Sequence, residues 1–309
     1  MNQNEATPLA LDDYYLFKSC VAGAVYPSIE LSVKYVLDRI EANYTDDPKQ
    51  SSCTGFGVYT GVVPLETNLA LNARNLSLVA ETTTKNVVCT CPSCYNNLKH
   101  CQKLLSKEKN LEKQTKIVLK KLGRNYNIDP PIYHVSDVFL SRINDINKKT
   151  IKHPLSGIKA VTHHGCHYSK FFFKDIISGT FEQPTVLDRI LELMGCDVID
   201  YSEQFLCCGG GLHSSLIEGE YNIETLKRKF SSIKKVKPDI IITMCPNCSF
   251  NFDHYQKSLE NELDIGERIP VLYISELLAL LIGANIEDLG INMHAVPLDH
   301  FIEKLKVKK

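Results

Sequence analysis

The segment Cys245-Pro-Asn-Cys248-Ser-Phe-Asn-Phe252 repeats Cys91-Pro-Ser-Cys94-Tyr-Asn-Asn-Leu98 after 154 residues. Each copy follows a β-branched apolar run, Ile240-Ile241-Ile242 in one and Val87-Val88 in the other. A strand running into a Cys-Pro-x-Cys turn at the start of a helix is the shared unit. Upstream, Val36-Leu37-Asp38-Arg39-Ile40 recurs word for word as Val186-Leu187-Asp188-Arg189-Ile190 at an offset of 150. Two matches in the same order at nearly the same spacing indicate a duplication, with the drift in offset assigned to loop insertions.

Tyr26 to Ala42 places Ile29, Val33, Val36, Leu37 and Ile40 at helical spacing, with Pro27 near the start, where proline is tolerated. Thr185 to Met194 repeats that pattern, Gly195 terminates it, and Cys196 to Asp200 reads as a following strand. Alternation of this kind predicts an α/β fold of two tandem halves, each with a small parallel sheet and a cysteine-rich site. The halves are expected at residues 14–150 and 157–300, joined by a polar, Lys/Asn-rich linker near Ile143 to Ser156.

With 35 basic and 36 acidic residues the net charge is −1, so the overall balance points to neither nucleic acid nor an anionic surface. The N-terminal stretch, Met1 to Asp13, lacks the basic-then-apolar profile of a secretory signal. The most apolar run, Leu277 to Ile282, is far shorter than the ~20 residues of a spanning helix. A cytoplasmic location is expected, and there twelve cysteines speak for metal ligation or redox chemistry instead of disulfides.

Nine of the twelve fall into two copies of one pattern. The second copy is Cys166, the adjacent pair Cys207-Cys208 followed by Gly209-Gly210-Gly211, and Cys245 with Cys248. The first is Cys20, then Ser52-Cys53 where a pair is expected, with Thr54 in place of the glycine, and Cys91 with Cys94. A Cys-x-x-Cys turn lets two thiolates converge, and the N–H groups at a helix start favour their charge. Five thiolates exceed what tetrahedral zinc or a four-cysteine cubane requires. Adjacent cysteines can grip different edges of a larger cluster, and the glycines let backbone approach it. Four thiolates, on Cys20, Cys53, Cys91 and Cys94, suit a 4Fe-4S cubane or structural zinc. Cys89, Cys101 and Cys196 read as extra or buried residues.

On these motifs the chain resembles the B subunit of heterodisulfide reductase, a family marked by two motifs of the form Cys, long gap, Cys-Cys, long gap, Cys-x-x-Cys. The gaps are 40 and 36 residues in the second copy and 31 and 37 in the first, and the resemblance runs from about Tyr14 to His300. It implies two pseudo-symmetric α/β halves that bring their clusters together. It also implies a noncubane 4Fe-4S cluster on Cys166, Cys207, Cys208, Cys245 and Cys248, acting in disulfide/thiol redox chemistry. His167, in His163-His164-Gly165-Cys166-His167, is the expected proton donor beside it. His163 and His164 are read either as further site residues or as strand-end side chains satisfied by backbone.

No Gly-x-Gly-x-x-Gly fingerprint is present, so electrons are expected to pass through partners. In the family these are a flavin-containing subunit and a ferredoxin-like iron–sulfur subunit. The altered first motif points toward a heterodisulfide reductase-like variant such as those of sulfur oxidisers, handling a sulfur-carrying protein or a lipoate-like thiol. Two other readings remain open: an accessory iron–sulfur subunit of a membrane-associated succinate dehydrogenase-type complex, and a structural zinc scaffold. The first would need an exposed amphipathic helix, with Ser275 to Ala284 and Leu298 to Lys309 as candidates.

Overall fold

The computed structural model describes residues 13–50, 54–55, 58, 61–126, 129–150, 154–170, 176–211, 219–263 and 268–306. Its first half runs β1 (Asp13–Phe17), α1 (Cys20–Ala24), α2 (Pro27–Arg39), β2 (Asn43–Thr45), α3 (Leu65–Val79), β3 (Asn86–Cys89), α4 (Pro92–Lys107), α5 (Lys109–Lys121), β4 (Ile132–His134), α6 (Val135–Ser141) and α7 (Ile143–Asn147). The second half repeats the order as β5 (Lys159–His163), α8 (Cys166–Ser169), α9 (Val186–Leu193), β6 (Asp197–Val198), α10 (Gly219–Val236), β7 (Ile240–Thr243), α11 (Pro246–His254), α12 (Gln256–Leu263), β8 (Val271–Tyr273) and α13 (Ile274–Leu281). A 3-10 turn and α14 (Asp299–Lys306) follow.

Each half is a four-stranded parallel sheet, ordered β2-β1-β3-β4 and β6-β5-β7-β8. The expected α/β fold with two small parallel sheets is therefore present. The runs that announced strands are buried throughout, Ile240–Thr243 on β7 and Val87–Cys89 on β3, as strands covered on both faces require. In each sheet the order reverses between the two central strands. A crevice opens at such a switch point, beyond the carboxyl ends of the strands. Cys20 and Cys91 follow β1 and β3, and Cys166 and Cys245 follow β5 and β7, so the topology delivers the cysteines of each half to its own crevice.

The repeated pentapeptide lies on α2 and α9, and these helices pack between the halves, each touching its own sheet and the other half. α2 runs against α13 of the second half and α9 against α6 of the first. One apolar core consequently contains Val33, Val36 and Leu37 together with Leu277 and Leu278, and Val186, Leu187 and Ile190 together with Val138 and Phe139. Buried hydrogen bonds cross the same seam: Ser32 Oγ to Ser275 Oγ at 2.7 Å, Ser28 Oγ to Glu276 at 2.5 Å, Tyr168 Oη to Asp137 at 2.5 Å and Tyr273 Oη to the Thr90 carbonyl at 3.0 Å.

The polar stretch near Ile143 to Ser156 is not a free linker. It carries α7 with Ile143 and Ile146 buried, and Leu155 is buried with its N–H on the Met194 carbonyl. Of the two candidate amphipathic segments, the first is the core helix that its apolar run suggests, α13, and the described part of the second, α14, buries Phe301 instead of being wholly solvated.

At the seam His294 sits between two carboxylates, its Nε2 3.0 Å from Glu276 and its Nδ1 3.5 Å from Asp253. Tyr26 of the first half stacks on its ring and donates to Asp253 at 2.5 Å. Burial opposes the imidazolium, but the two carboxylates outweigh it and raise its pKa to about 10, above the ~6.5 of an unfolded histidine. The resulting stabilisation is complete below the unfolded value and is lost as pH rises through about 10. Denaturant titrations across that window should show stability falling by a few kcal/mol. His294→Gln should be less stable at neutral pH, because it leaves buried carboxylates uncompensated, and should lose most of the slope.

Candidate metal centre

The Cys-Pro-x-Cys turns form as expected. Cys91 and Cys245 are extended N-cap residues of α4 and α11, and Pro92 and Pro246 occupy the first helical position, where no N–H is needed. Cys94 and Cys248 follow one turn on, and all four are buried. The two turns meet, since Cys91 and Cys245 are hydrogen-bonding neighbours across the halves. From there the sulfurs are continuous. Cys94 lies beside Cys91, Cys248 beside Cys245, Cys208 Sγ 3.2 Å from Cys248 Sγ, Cys207 beside Cys208 and Cys166 beside Cys207. Hydrogen bonds from Cys245 and Cys94 hold the Cys91 thiol well below its ordinary pKa. Those from Cys166 and Cys208 do the same for Cys207. The chain is buried from Cys94 to Cys208, Cys166 is half-buried and Cys207 is exposed at its open end; two thiolates among such close sulfurs are the charge pattern of a soft-metal site.

All five cysteines of the second copy are thus brought together. Of the first copy, Cys91 and Cys94 join the chain and Cys20 is exposed at the start of α1, while Cys53 and Ser52 lie outside the described residues. Cys101 and Cys196 are buried with their sulfurs on the Leu69 and Ile158 carbonyls, and Cys89 is a buried strand residue.

Backbone closes on the second site as the glycines suggested. Gly209 N–H and Gly210 N–H each point at a sulfur, of Cys207 and Cys208, at 3.4 Å. Gly165 and Gly209 have φ of +78° and +85°, a conformation suited to glycine. A side chain at Gly165 would reach 3.1 Å from Cys245 Cβ and 3.7 Å from Cys248 Sγ. The donor set and the glycine cradle fit a sulfur-ligated cluster larger than a single ion.

Asparagines grip these loops and correct the alignment of the first motif. Asn251 Nδ2 donates to the Cys208 carbonyl at 2.6 Å, and Asn97 Nδ2 donates to the Thr54 carbonyl at 3.2 Å. A side chain on Gly209 would strike Asn222 at 2.9 Å and one on Gly55 would strike Asn68 at 2.6 Å. Thr54 is a hydrogen-bonding neighbour of Cys94, as Cys208 is of Cys248. All these pairs share the offset of 154 found at Cys91 and Cys245. Thr54 therefore stands in the place of Cys208, Gly55 in that of Gly209 and Cys53 in that of Cys207. The motif is Cys-Thr-Gly. The missing ligand is at Thr54, not Ser52, and the glycine is retained. The clamp residues were visible as Asn97 and Asn251 inside the repeat, but only their contacts disclose the role.

The three histidines separate. His164 Nε2 accepts from Leu187 N–H at 3.1 Å, while its buried Nδ1 makes no hydrogen bond. His167 Nδ1 lies 3.5 Å from Cys166 Sγ, and burial lowers its pKa to about 4. His163 is buried with a ring nitrogen within 4.8 Å of the Cys208 and Cys248 sulfurs.

Comparison with known proteins places this arrangement. The cysteine-rich domain family matches residues 14–99 and 160–253, which makes the chain a tandem cysteine-rich-domain protein. It belongs to the family of heterodisulfide reductase B subunits: it is 33% identical over 299 residues, 94% of this chain and 95% of the relative, to the B subunit of the ferredoxin:CoB-CoM heterodisulfide reductase of Methanosarcina acetivorans. It is also 27% identical, over 96% of its length and 99% of the relative's, to a protein of Archaeoglobus profundus described as like the heterodisulfide reductase B subunit. The 8-methylmenaquinol:fumarate reductase membrane anchor subunit of Wolinella succinogenes is 28% identical over 79% of this chain and 84% of the relative. A hypothetical protein from Helicobacter pylori shares the fold, with TM-score 0.66 and 16% identity over 94% of this chain, which spans about half (53%) of that structure.

Asn251→Ala should cost about 1–3 kcal/mol, since it strands the buried Cys208 carbonyl. In the metal-free protein it should also speed alkylation of Cys208, read by mass spectrometry, while leaving Cys101 unchanged.

Proposed function

We propose that the chain is the iron–sulfur subunit of a heterodisulfide reductase-like complex and carries out disulfide/thiol redox chemistry in its second half. The observation that carries this is the convergence of five cysteines on one glycine-lined crevice, next to Cys91 and Cys94 of the first half. Cys166, Cys207, Cys208, Cys245 and Cys248 would hold a noncubane 4Fe-4S cluster, and Cys20, Cys53, Cys91 and Cys94 a 4Fe-4S cubane or zinc. When bound, such clusters supply one-electron transfer and a soft iron surface for sulfur. The chain's own part is to hold the Cys207 and Cys208 sulfurs with backbone donors at Gly209 and Gly210 and to bury Cys208, Cys245 and Cys248 while leaving Cys207 open to a partner or substrate. His167 Nδ1 lies 3.5 Å from the Cys166 sulfur, the place from which a departing thiolate would take a proton.

The electron partners on this reading are a flavin-containing subunit and a ferredoxin-like subunit, in the cytoplasm. A second reading has support in the menaquinol:fumarate reductase relative: an accessory role at a membrane complex. Among the described residues no helix is long and apolar enough to cross a membrane, so contact on that reading would be peripheral.

Anaerobic metal and acid-labile sulfide analysis of the purified chain should return about eight iron and eight sulfide for two clusters, or about four iron with one zinc if the first site is structural. Zinc alone would remove the redox reading. Thr54→Cys should give the first site the spectroscopic signature of the second on reconstitution, and Ser52→Cys should not. An unchanged spectrum in the threonine variant would show that ligand count does not set the cluster type.

A further inference from the structure

Behind the second site lies a buried cation that the sulfur chemistry above does not use. Lys229 of α10 has no exposed surface. Its Nζ donates to the Glu203 carbonyl at 2.5 Å and lies 5.5 Å from the centre of the Tyr201 ring. The Glu203 carboxylate is turned away to Arg228, at 3.1 and 3.2 Å. A buried ammonium without a carboxylate partner is destabilising unless other negative charge compensates it. Burial brings its pKa down to about 8, opposed first by the sulfurs of Cys208, Cys248 and Cys207 and then by the more weakly acting Glu203 carboxylate.

His163 forms the neighbouring part of the same wall. Its ring sits edge-on to Phe252 at 4.9 Å. Neither ring nitrogen makes a hydrogen bond of sound geometry, although the Gln204 backbone is close. Burial, and then the charge of Lys229, keep the imidazole neutral, so it carries one N–H, with the Gln204 backbone and the sulfurs of Cys208 and Cys248 beside the ring.

The first half lacks both groups. The offset that matches Asn68 with Asn222 puts Asn75 opposite Lys229. The strand register that pairs Phe17 with Cys89 and His163 with Thr243 puts Phe17 opposite His163. The half with Thr54 in place of a cysteine has a phenylalanine and an asparagine at these two positions, Asn75 accepting from Arg74 at 3.0 Å, and the half with the extra cysteine has a histidine and a buried lysine.

We propose that Lys229 and His163 are positioning residues that compensate the fifth thiolate of the second site and set the reduction potential of the cluster there. This rests on the iron–sulfur reading above. Reduction adds one electron, from dithionite in a titration, to a site crowded with thiolate charge. A fixed ammonium and an imidazole held within 4.8 Å of two of the sulfurs favour that electron.

The test is an EPR-monitored redox titration of the full chain, with the first-site cluster as internal reference where it is iron-loaded and wild type titrated in parallel. Iron and sulfide are measured in each sample. In Lys229→Gln the second-site midpoint should move to lower potential while any first-site midpoint stays, and Lys229→Arg should restore it. Lys229→Gln with full iron and wild-type midpoints would overturn the proposal. If Lys229→Gln does not retain its second cluster, His163→Phe decides, since it copies the Phe17 wall and keeps the packing. A lowered midpoint supports the proposal, and an unchanged one overturns it. Wild-type protein without second-site iron would instead remove the iron–sulfur reading beneath it.

Discussion

Cys91 and Cys245 touch, and the rest of the molecule is arranged to let them. Each is the N-cap of a helix that starts at the carboxyl end of a central strand, so bringing the two sulfurs together forces the two sheets to present the same end to each other. Thiols this close cannot all ionise in a dry setting. The hydrogen bonds between them select Cys91 and Cys207 as the anionic members and leave the others as donors. A chain of sulfurs in this state is costly to bury without metal. The glycines that admit backbone N–H groups and the asparagines that hold the loops follow from that requirement.

Pseudo-symmetry makes the departures informative. The asparagine clamps, the Cys-Pro-x-Cys turns and the strand orders agree between the halves. The groups at the sulfurs do not: Thr54 faces Cys94 where Cys208 faces Cys248, and the wall residues differ. The scaffold has been kept while the charge of the two sites has moved apart. That is the expected outcome when a duplicated site is retained for two different electronic tasks.

Much of the fold was legible because it rests on periodicity. Parallel strands covered on both faces read as unbroken apolar runs, and the amphipathic helix of the pentapeptide keeps its 3.6-residue spacing in both copies. The cysteines of the second site were legible as a group because thiols are rare and their gaps matched. What was not legible depended on contacts. Counting from cysteine to cysteine made Ser52 the altered residue, because a threonine offers no sulfur to align; the carbonyl that Asn97 grips shows the altered position to be Thr54. Lys229 looks in sequence like any lysine on a polar helix, and only its burial beside sulfur distinguishes it. The polar stretch before β5 read as a tether because Ile143 and Ile146 are too few to signal a packed helix on their own.

The exchange of α2 and α9 between the halves has a bearing on origin. Each half covers its neighbour's apolar face with the helix that carries the shared pentapeptide, which is the contact pattern of two identical chains related by a two-fold axis. A single half released from this chain would expose the surfaces that α2 and α9 now cover and would recover them only by pairing. Joining the two protomers of such a pair into one chain keeps this seam and lets the site of each half differ from its twin, which a homodimer cannot do.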